Sequence, residues 1–78
     1  MTKAFCILVE VVDRDIVCQT YNTYPEAFNE MLHRINTLTG HMSEDEYDLE
    51  IDSDHGIAWL NDKKHDYHYD WQIFIREI

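Results

Sequence analysis

A chain of 78 residues makes one domain, near the lower size at which a hydrophobic core supports a fold unaided. With 45% hydrophobic and 13% aromatic residues, one proline and two glycines, its composition excludes a disordered chain. Sixteen acidic residues against six basic ones give a formal net charge of −10. This charge argues against direct binding to nucleic acid or to anionic membranes, since both need a basic surface. The expected partner is therefore a basic protein.

The location of the chain is predicted from what its sequence lacks. It has no basic segment followed by an apolar one, as a secretion signal would, and no apolar run near the ~20 residues that cross a bilayer. We therefore expect a cytoplasmic protein, or one in the cytoplasm of a host cell if a phage encodes it. Cys6 and Cys18 both lie in apolar stretches, so we expect buried thiols rather than a disulfide.

The N-terminal part of the chain has the pattern of a β-hairpin. Residues 3–12 are apolar on both alternating faces, which is typical of a strand that is covered on each side. Residues 13–15 form a polar break of hairpin length, and residues 16–21 resume as the partner strand.

A helix is predicted over residues 24–39. Thr23 lies three residues before Glu26, as in a capping box, and Pro25 falls in the first turn, where a missing N–H is harmless. Gly40 follows as the expected C-terminal stop. Between these signals, apolar residues recur at spacings of three and four and form one stripe: Ala27, Phe28, Met31, Leu32, Ile35 and Leu38. The helix should therefore pack along one side.

Three more strands are predicted after the helix, over residues 47–52, 57–61 and 67–78. The first alternates strictly, which directs its acids outward and its apolar residues inward: Tyr47, Leu49 and Ile51. Trp59 in the second strand is expected to pack under the helix with Phe28 and Met31. The last strand collects large side chains on one face: Tyr67, Tyr69, Trp71, Ile73 and Ile75.

The order β-β-α-β-β-β predicts an α+β fold, a two-layer sandwich in which one helix covers one face of an antiparallel sheet. Residues 1–78 form a single domain in this interpretation. The opposite face is expected to carry an apolar patch, which a second copy or a partner protein could cover. Its predicted members are Cys6, Leu8, Cys18, Leu60 and Phe74.

The acidic residues are concentrated in one stretch. Between residues 35 and 62 the chain has eight acids and no lysine or arginine. On a strand, alternate carboxylates lie about 6.6 Å apart, so such a row repels itself. The candidate partner-binding residues are these eight: Glu44, Asp45, Glu46, Asp48, Glu50, Asp52, Asp54 and Asp62.

A row of fixed carboxylates can imitate a nucleic-acid backbone and occupy the basic groove of a DNA- or RNA-binding protein. Duplex DNA offers one charge per ~1.7 Å of axis, so residues 43–46 and 52–54, or a second protomer, would have to add charge to the strand. Very small acidic domains without catalytic motifs are common among phage-encoded inhibitors of bacterial defence nucleases, including anti-CRISPR proteins. The chain is similar to that class in format.

The first functional prediction is therefore a non-enzymatic inhibitor whose partner is a nuclease or another nucleic-acid-binding protein. Salt should weaken this complex. Acidification below about pH 6.5 should do the same, because histidines then begin to charge. The alternative prediction is a structural or adaptor protein that dimerises or docks through the apolar face near Leu8, Leu60 and Phe74, with the acids serving solubility.

A metal site, a calcium loop and a base-stacking surface are disfavoured by the spacing or the neighbours of the residues that would form them. His65, His68 and Asp70 could approach a metal, but their spacing is loose and the cysteines lie far away. Residues 52–56 lack the downstream glycine and glutamate positions of an EF-hand loop. The aromatic residues of the last strand have acids, not lysine or arginine, as neighbours, so they do not resemble a base-stacking platform. We expect no catalytic residues, no metal and no cofactor.

Overall fold

The computed structural model describes residues 4–77. A short 3₁₀ turn (Glu44–Glu46) lies between the helix and the strand that follows it. Lys3 and Ile78, which the prediction included in the first and last strands, lie outside the described residues. The elements follow the predicted order: β1 (Ala4–Val12), β2 (Asp15–Tyr21), α1 (Tyr24–Thr39), β3 (Tyr47–Asp52), β4 (Ile57–Asp62) and β5 (Tyr67–Glu77). The α+β fold class is confirmed.

The five strands form one open antiparallel sheet in the order β2-β1-β5-β4-β3. The long strand β5 is central, and β2 and β3 are the two edges. A two-residue turn connects β1 to β2, and its Asp13 has a φ of 54°, a left-handed conformation that aspartate tolerates better than most residues. The hairpin predicted from residues 3–21 is therefore present.

Helix α1 begins and ends where the sequence predicted. The Thr23 hydroxyl accepts a hydrogen bond from the Glu26 N–H at 3.4 Å. At the other end the Gly40 N–H donates to the Asn36 carbonyl at 2.9 Å. Gly40 has a φ of −60°, so the helix ends there without the left-handed conformation that commonly favours glycine at this place. The helix packs on β1, β5 and β2.

The core lies between α1 and the helix-facing side of the sheet. The register of β1 against β5 sets Leu8 opposite Ile73, so Leu8 shares the face on which Trp71 and Ile73 are buried. The buried hydrophobic residues come from the helix and three strands: Cys6, Leu8, Ala27, Met31, Ile35, Ala58, Leu60, Trp71 and Ile73.

A polar cluster joins the helix to the sheet within this layer. The Glu10 carboxylate accepts a hydrogen bond from the buried Trp71 indole N–H at 2.9 Å and pairs with Arg34 at 3.2 Å. Arg34 also donates to the Gln19 side chain at 2.6 Å. One helical residue is thus tied to β1 and β2, and through Glu10 to β5, which fixes the rotation of the helix over the sheet.

The turn between β3 and β4 is anchored to the same layer. Gly56 is buried, has a φ of +64°, and accepts a hydrogen bond from the Ile73 N–H at 2.8 Å. A Cβ at this position would approach Tyr24 and Ile73 at 3.2 Å, so a glycine fits where other residues would be strained. The Tyr24 hydroxyl donates to the Ser53 carbonyl at 2.7 Å. These contacts hold the end of β3 in place.

Candidate partner-binding surface

Three of the predicted site residues form a row on β3, at one edge of the sheet. Asp48, Glu50 and Asp52 alternate with Leu49 and Ile51 and are directed away from the helix. All three carboxylates are exposed. We call these three residues the acidic stripe, and the sheet face opposite the helix the open face.

The carboxylates at the two ends of the acidic stripe each contact one basic side chain. Lys63 Nζ lies 3.6 Å from Asp48, and His55 Nδ1 lies 2.7 Å from Asp52. The hydrogen bond from His55 lowers the pKa of Asp52, so this carboxylate stays ionised in mildly acidic solution. Glu50, the central member, has no salt-bridge partner among residues 4–77. Both contacts are exposed, so each holds its carboxylate weakly and a partner could replace it.

The loop acids contribute unequally to this charge. Glu44, Asp45 and Asp54 are exposed. Glu46 has a structural role, because its carboxylate accepts a hydrogen bond from the Ser43 N–H at 2.9 Å and pairs with Lys64 at 3.3 Å. The hydrogen bond from the Ser43 backbone makes the largest contribution to lowering the pKa of Glu46, and the contact with Lys64 lowers it further.

Asp62 does not belong to the exposed acidic surface that the sequence predicted. It lies two residues after the buried Leu60 on the same face, and its side chain is 3% exposed. Its carboxylate accepts hydrogen bonds at 3.0 Å from the N–H groups of Lys64 and His65, and at 2.8 Å from the His65 ring. Asp62 therefore closes the β4–β5 turn and is removed from the candidate surface.

The acidic stripe borders an aromatic and aliphatic strip on β4. Trp59 and Ile57 lie on the open face, opposite Glu50 and Asp52 respectively. The Trp59 ring stacks on His68 at a centroid distance of 6.3 Å. The expectation that Trp59 packs under the helix with Phe28 and Met31 was wrong, because the register of β4 directs Ala58 and Leu60 there instead.

The open face becomes apolar toward the other edge of the sheet. Its residues lie opposite one another in the registers of β2, β1 and β5, and we call them the apolar half: Phe5, Ile7, Val9, Val11, Ile16, Cys18 and Phe74. No helix covers these side chains within residues 4–77. Ile16 on the edge strand is 67% exposed.

The predicted membership of this patch needs correction at three positions. Cys6, Leu8 and Leu60 face the helix and are buried, so they cannot contact a partner. Phe74 and Cys18 do lie on the open face. Cys18 is exposed, so the expectation of two buried thiols is right for Cys6 and wrong for Cys18.

The histidines of the last turn and strand are divided between the two faces. His65 contacts Asp62 at the helix-facing end of β4, whereas His68 lies 3.1 Å from Asp70 on the open face. Within residues 4–77 the structure brings together no group of three His, Cys, Asp or Glu side chains suited to a metal. Trp71 and Tyr69 stack on each other at 5.8 Å toward the helix layer, in the core position expected for them.

Glu10, Arg34 and Trp71 form the polar contact that the sequence analysis missed. Glu10 is an isolated charge in an otherwise apolar strand, and such a charge is usually paired where it is enclosed. This isolated charge is the sequence feature from which the contact could have been predicted.

Comparison of the chain with models of protein families, with curated proteins and with solved structures finds no match. Among the described residues, no helix has the length and apolar character needed to cross a membrane. The fold and the surface thus define a small α+β sandwich whose open sheet face is acidic at one edge and apolar toward the other.

Proposed function

We propose that this chain is a non-enzymatic protein-binding module that docks its open face on a basic, nucleic-acid-binding site of a partner protein. The observation that carries the proposal is the position of the acidic stripe. Asp48, Glu50 and Asp52 lie on an uncovered face, at an edge, beside Trp59 and Ile57. A partner that reaches the stripe therefore also meets an aromatic surface, and buried aromatic anchors supply much of the affinity of protein interfaces.

The mechanism of such binding is competition for the site. The stripe offers one carboxylate per ~6.6 Å along the strand, compared with one charge per ~3.4 Å along a strand of DNA. Asp70 on β5 adds a further open-face carboxylate, and Asp54 extends the row beyond β3. The stripe thus offers a sparser set of charges than DNA. Trp59 and Ile57 on β4 add the apolar contact area that the charges do not supply.

The partner class follows from this chemistry. A row of carboxylates beside an exposed apolar surface fits a groove in which lysine and arginine side chains bind a phosphate backbone. We infer a nuclease or another nucleic-acid-binding protein, and an anti-defence role, such as inhibition of a bacterial nuclease, fits the small acidic format.

The test is capture of binding proteins from bacterial lysate and from a panel of purified nucleases, at low and at high salt. The stripe variant carries Asp48→Asn, Glu50→Gln and Asp52→Asn. Its matched control neutralises three exposed acids elsewhere, with Asp13→Asn, Glu26→Gln and Asp66→Asn. Both variants have the same net charge, and asparagine tolerates the positive φ of residues 13 and 66.

A partner bound by the wild type and the control, lost by the stripe variant and released by salt, is the expected result. The affinity of the stripe variant should fall at least tenfold. Equal loss in both triple variants would mean that only net charge matters, and binding that survives high salt would contradict the electrostatic mechanism.

A second candidate function is favoured by the uncovered apolar half. In this alternative the chain is an adaptor that docks through Val9, Val11 and Phe74, and the acids only keep it dispersed. Val11→Lys should then abolish capture while the stripe variant retains it. Ile51→Lys, at a 38% exposed position on the helix-facing side of β3, is the control for the added charge.

A further inference from the structure

The two edge strands of the sheet differ in their protection against pairing with another chain. An edge strand exposes unpaired N–H and C=O groups, and proteins commonly guard such edges with charged side chains. Edge strand β3 carries the acidic stripe. Edge strand β2 has an aspartate only at its first residue, and from Ile16 to Tyr21 it has no charged side chain.

Side chains of strand β2 are exposed on both faces of the sheet. Ile16 on the open face is 67% exposed and Val17 on the helix-facing side is 47% exposed. Every residue from Asp15 to Thr20 is exposed, and among the described residues no other strand pairs with its free edge. A long edge with one charge, at its first residue, and with exposed β-branched residues is an unprotected template for strand addition.

We propose that β2 pairs antiparallel with β2 of a second copy of this chain, which makes one continuous ten-stranded sheet. Full overlap of Asp15–Tyr21 with its copy places Cys18, the middle residue, opposite itself across a two-fold axis. Ile16 then lies opposite Thr20 of the copy on the open face, and Val17 opposite Gln19 on the other face. Asp15 meets Tyr21, so the full register contains no pair of like charges.

Charge distribution is what selects a second copy at this edge. Each chain carries a net charge of −10, so two copies associate best where their acids are farthest apart. Pairing through β2 puts the two acidic stripes at the outer ends of the sheet, nine strand spacings or ~43 Å apart before twist. This exceeds the screening length of about 8 Å in physiological salt several-fold. Pairing through β3 would instead bring carboxylates face to face.

The pairing also joins the two apolar halves into one central surface on the open face. Ile16 and Cys18 from each copy would meet at the centre of this surface, beside the apolar residues of β1. The acidic stripes would remain accessible on both flanks. The inference does not depend on the proposed function, because it concerns the opposite edge of the sheet and uses no partner protein.

The first experiment is sedimentation of the purified full chain over a concentration series under reducing conditions. We expect a reversible shift from 9.4 kDa to twice that mass. Ile16→Lys should raise the dissociation constant at least tenfold, since it places a charge on the pairing edge. Ile51→Lys adds the same charge to the other edge strand and should leave the dissociation constant unchanged. A mass of 9.4 kDa at every concentration, or equal effects of the two variants, would overturn the proposal.

The second experiment tests the register by thiol crosslinking. Cys18 is exposed and Cys6 is buried, so diamide should link two chains through Cys18, with the two thiols giving two electrons and two protons to diamide. In a Cys18→Ser background, an equal mixture of Ile16→Cys and Thr20→Cys chains should form the mixed disulfide in preference to either self-disulfide. Random proportions of the three products would contradict the proposed register. Loss of partner capture in the stripe variant would change neither experiment.

Discussion

Among single residues, Glu10 has the clearest consequence for the fold. Its carboxylate satisfies the indole N–H of Trp71, which is 1% exposed, and it pairs with Arg34 from the helix. A buried donor without an acceptor loses the hydrogen bonds that water would otherwise supply. One acidic side chain in an apolar strand is therefore part of the core contact between the two layers.

Replacing Glu10 should destabilise the protein in a graded way. Glu10→Ala leaves the Trp71 N–H and Arg34 without this acceptor, which should reduce the free energy of unfolding by about 1–3 kcal/mol. Glu10→Gln keeps an oxygen for the indole and should lose less. Urea denaturation of the two variants measures both effects. An alanine variant within about 0.5 kcal/mol of the wild type, the range of ordinary surface substitutions, would contradict this role.

Among the elements, the β4–β5 turn depends on one buried carboxylate. Burial raises the pKa of Asp62, but hydrogen bonds from the His65 ring and from the N–H groups of His65 and Lys64 lower it more, so the net pKa lies below the ordinary value. A carboxyl whose pKa is lowered by folding stabilises the folded state above its unfolded pKa. This stabilisation is lost as the pH falls through the folded pKa.

Asp62→Asn should therefore cost stability in a pH-dependent way. A difference in unfolding free energy between the wild type and the variant should be present between pH 7 and pH 5. It should shrink below the unfolded aspartate pKa of about 3.9. Urea titrations between pH 7 and pH 3 measure it. Asp66→Asn, at an exposed position in the same turn, is the control that should show a smaller difference. A difference that persists unchanged at pH 3 would show that the charge of Asp62 has no part in the turn.

How much of each element the sequence predicts depends on how strongly its two faces differ. Helix α1 was predicted to the residue because cap, proline and apolar stripe agree. Strand β3 was predicted with its faces because Asp48, Glu50 and Asp52 alternate with apolar residues. In β1 both alternating sets are apolar, so periodicity identifies a strand but not which set meets the helix. Only the register against β5 decides that Cys6 and Leu8 are inside.

The errors at Trp59 and Asp62 have a common physical origin. Both expectations followed the chemical type of the residue, large and apolar or charged, rather than its position along β4. Alternation places Ala58, Leu60 and Asp62 on one face and Trp59 on the other. The small Ala58 and the hydrogen-bonded Asp62 fit the interior, whereas Trp59 stacks on His68 outside. The buried face of β4 could therefore be predicted only if the position of the helix was known.

For the whole molecule, the sheet carries a gradient from an apolar edge at β2 to an acidic edge at β3. The gradient separates two demands on the same chain. In the proposed roles, the acidic edge attracts a basic partner and resists self-pairing, while the edge at β2 pairs with a second copy. Such concentration of like charge opposes folding through self-repulsion, so we expect the proposed binding surface to reduce stability.

Glu50→Gln isolates this conflict, because Glu50 lies between Asp48 and Asp52 and has no salt-bridge partner among the described residues. Neutralising it removes repulsion from both sides and should raise the free energy of unfolding by about 0.2–0.5 kcal/mol, the scale of exposed like-charge pairs. The gain should diminish as salt screens the charges. Thermal and urea denaturation at low and high salt measure it, while capture of a basic partner should weaken in the same variant.

Asp48→Asn, which also removes an ion pair with Lys63, should gain less. A Glu50→Gln chain that is less stable at low salt would mean that the acidic stripe contributes to folding, and its charge would then need no binding role to explain it.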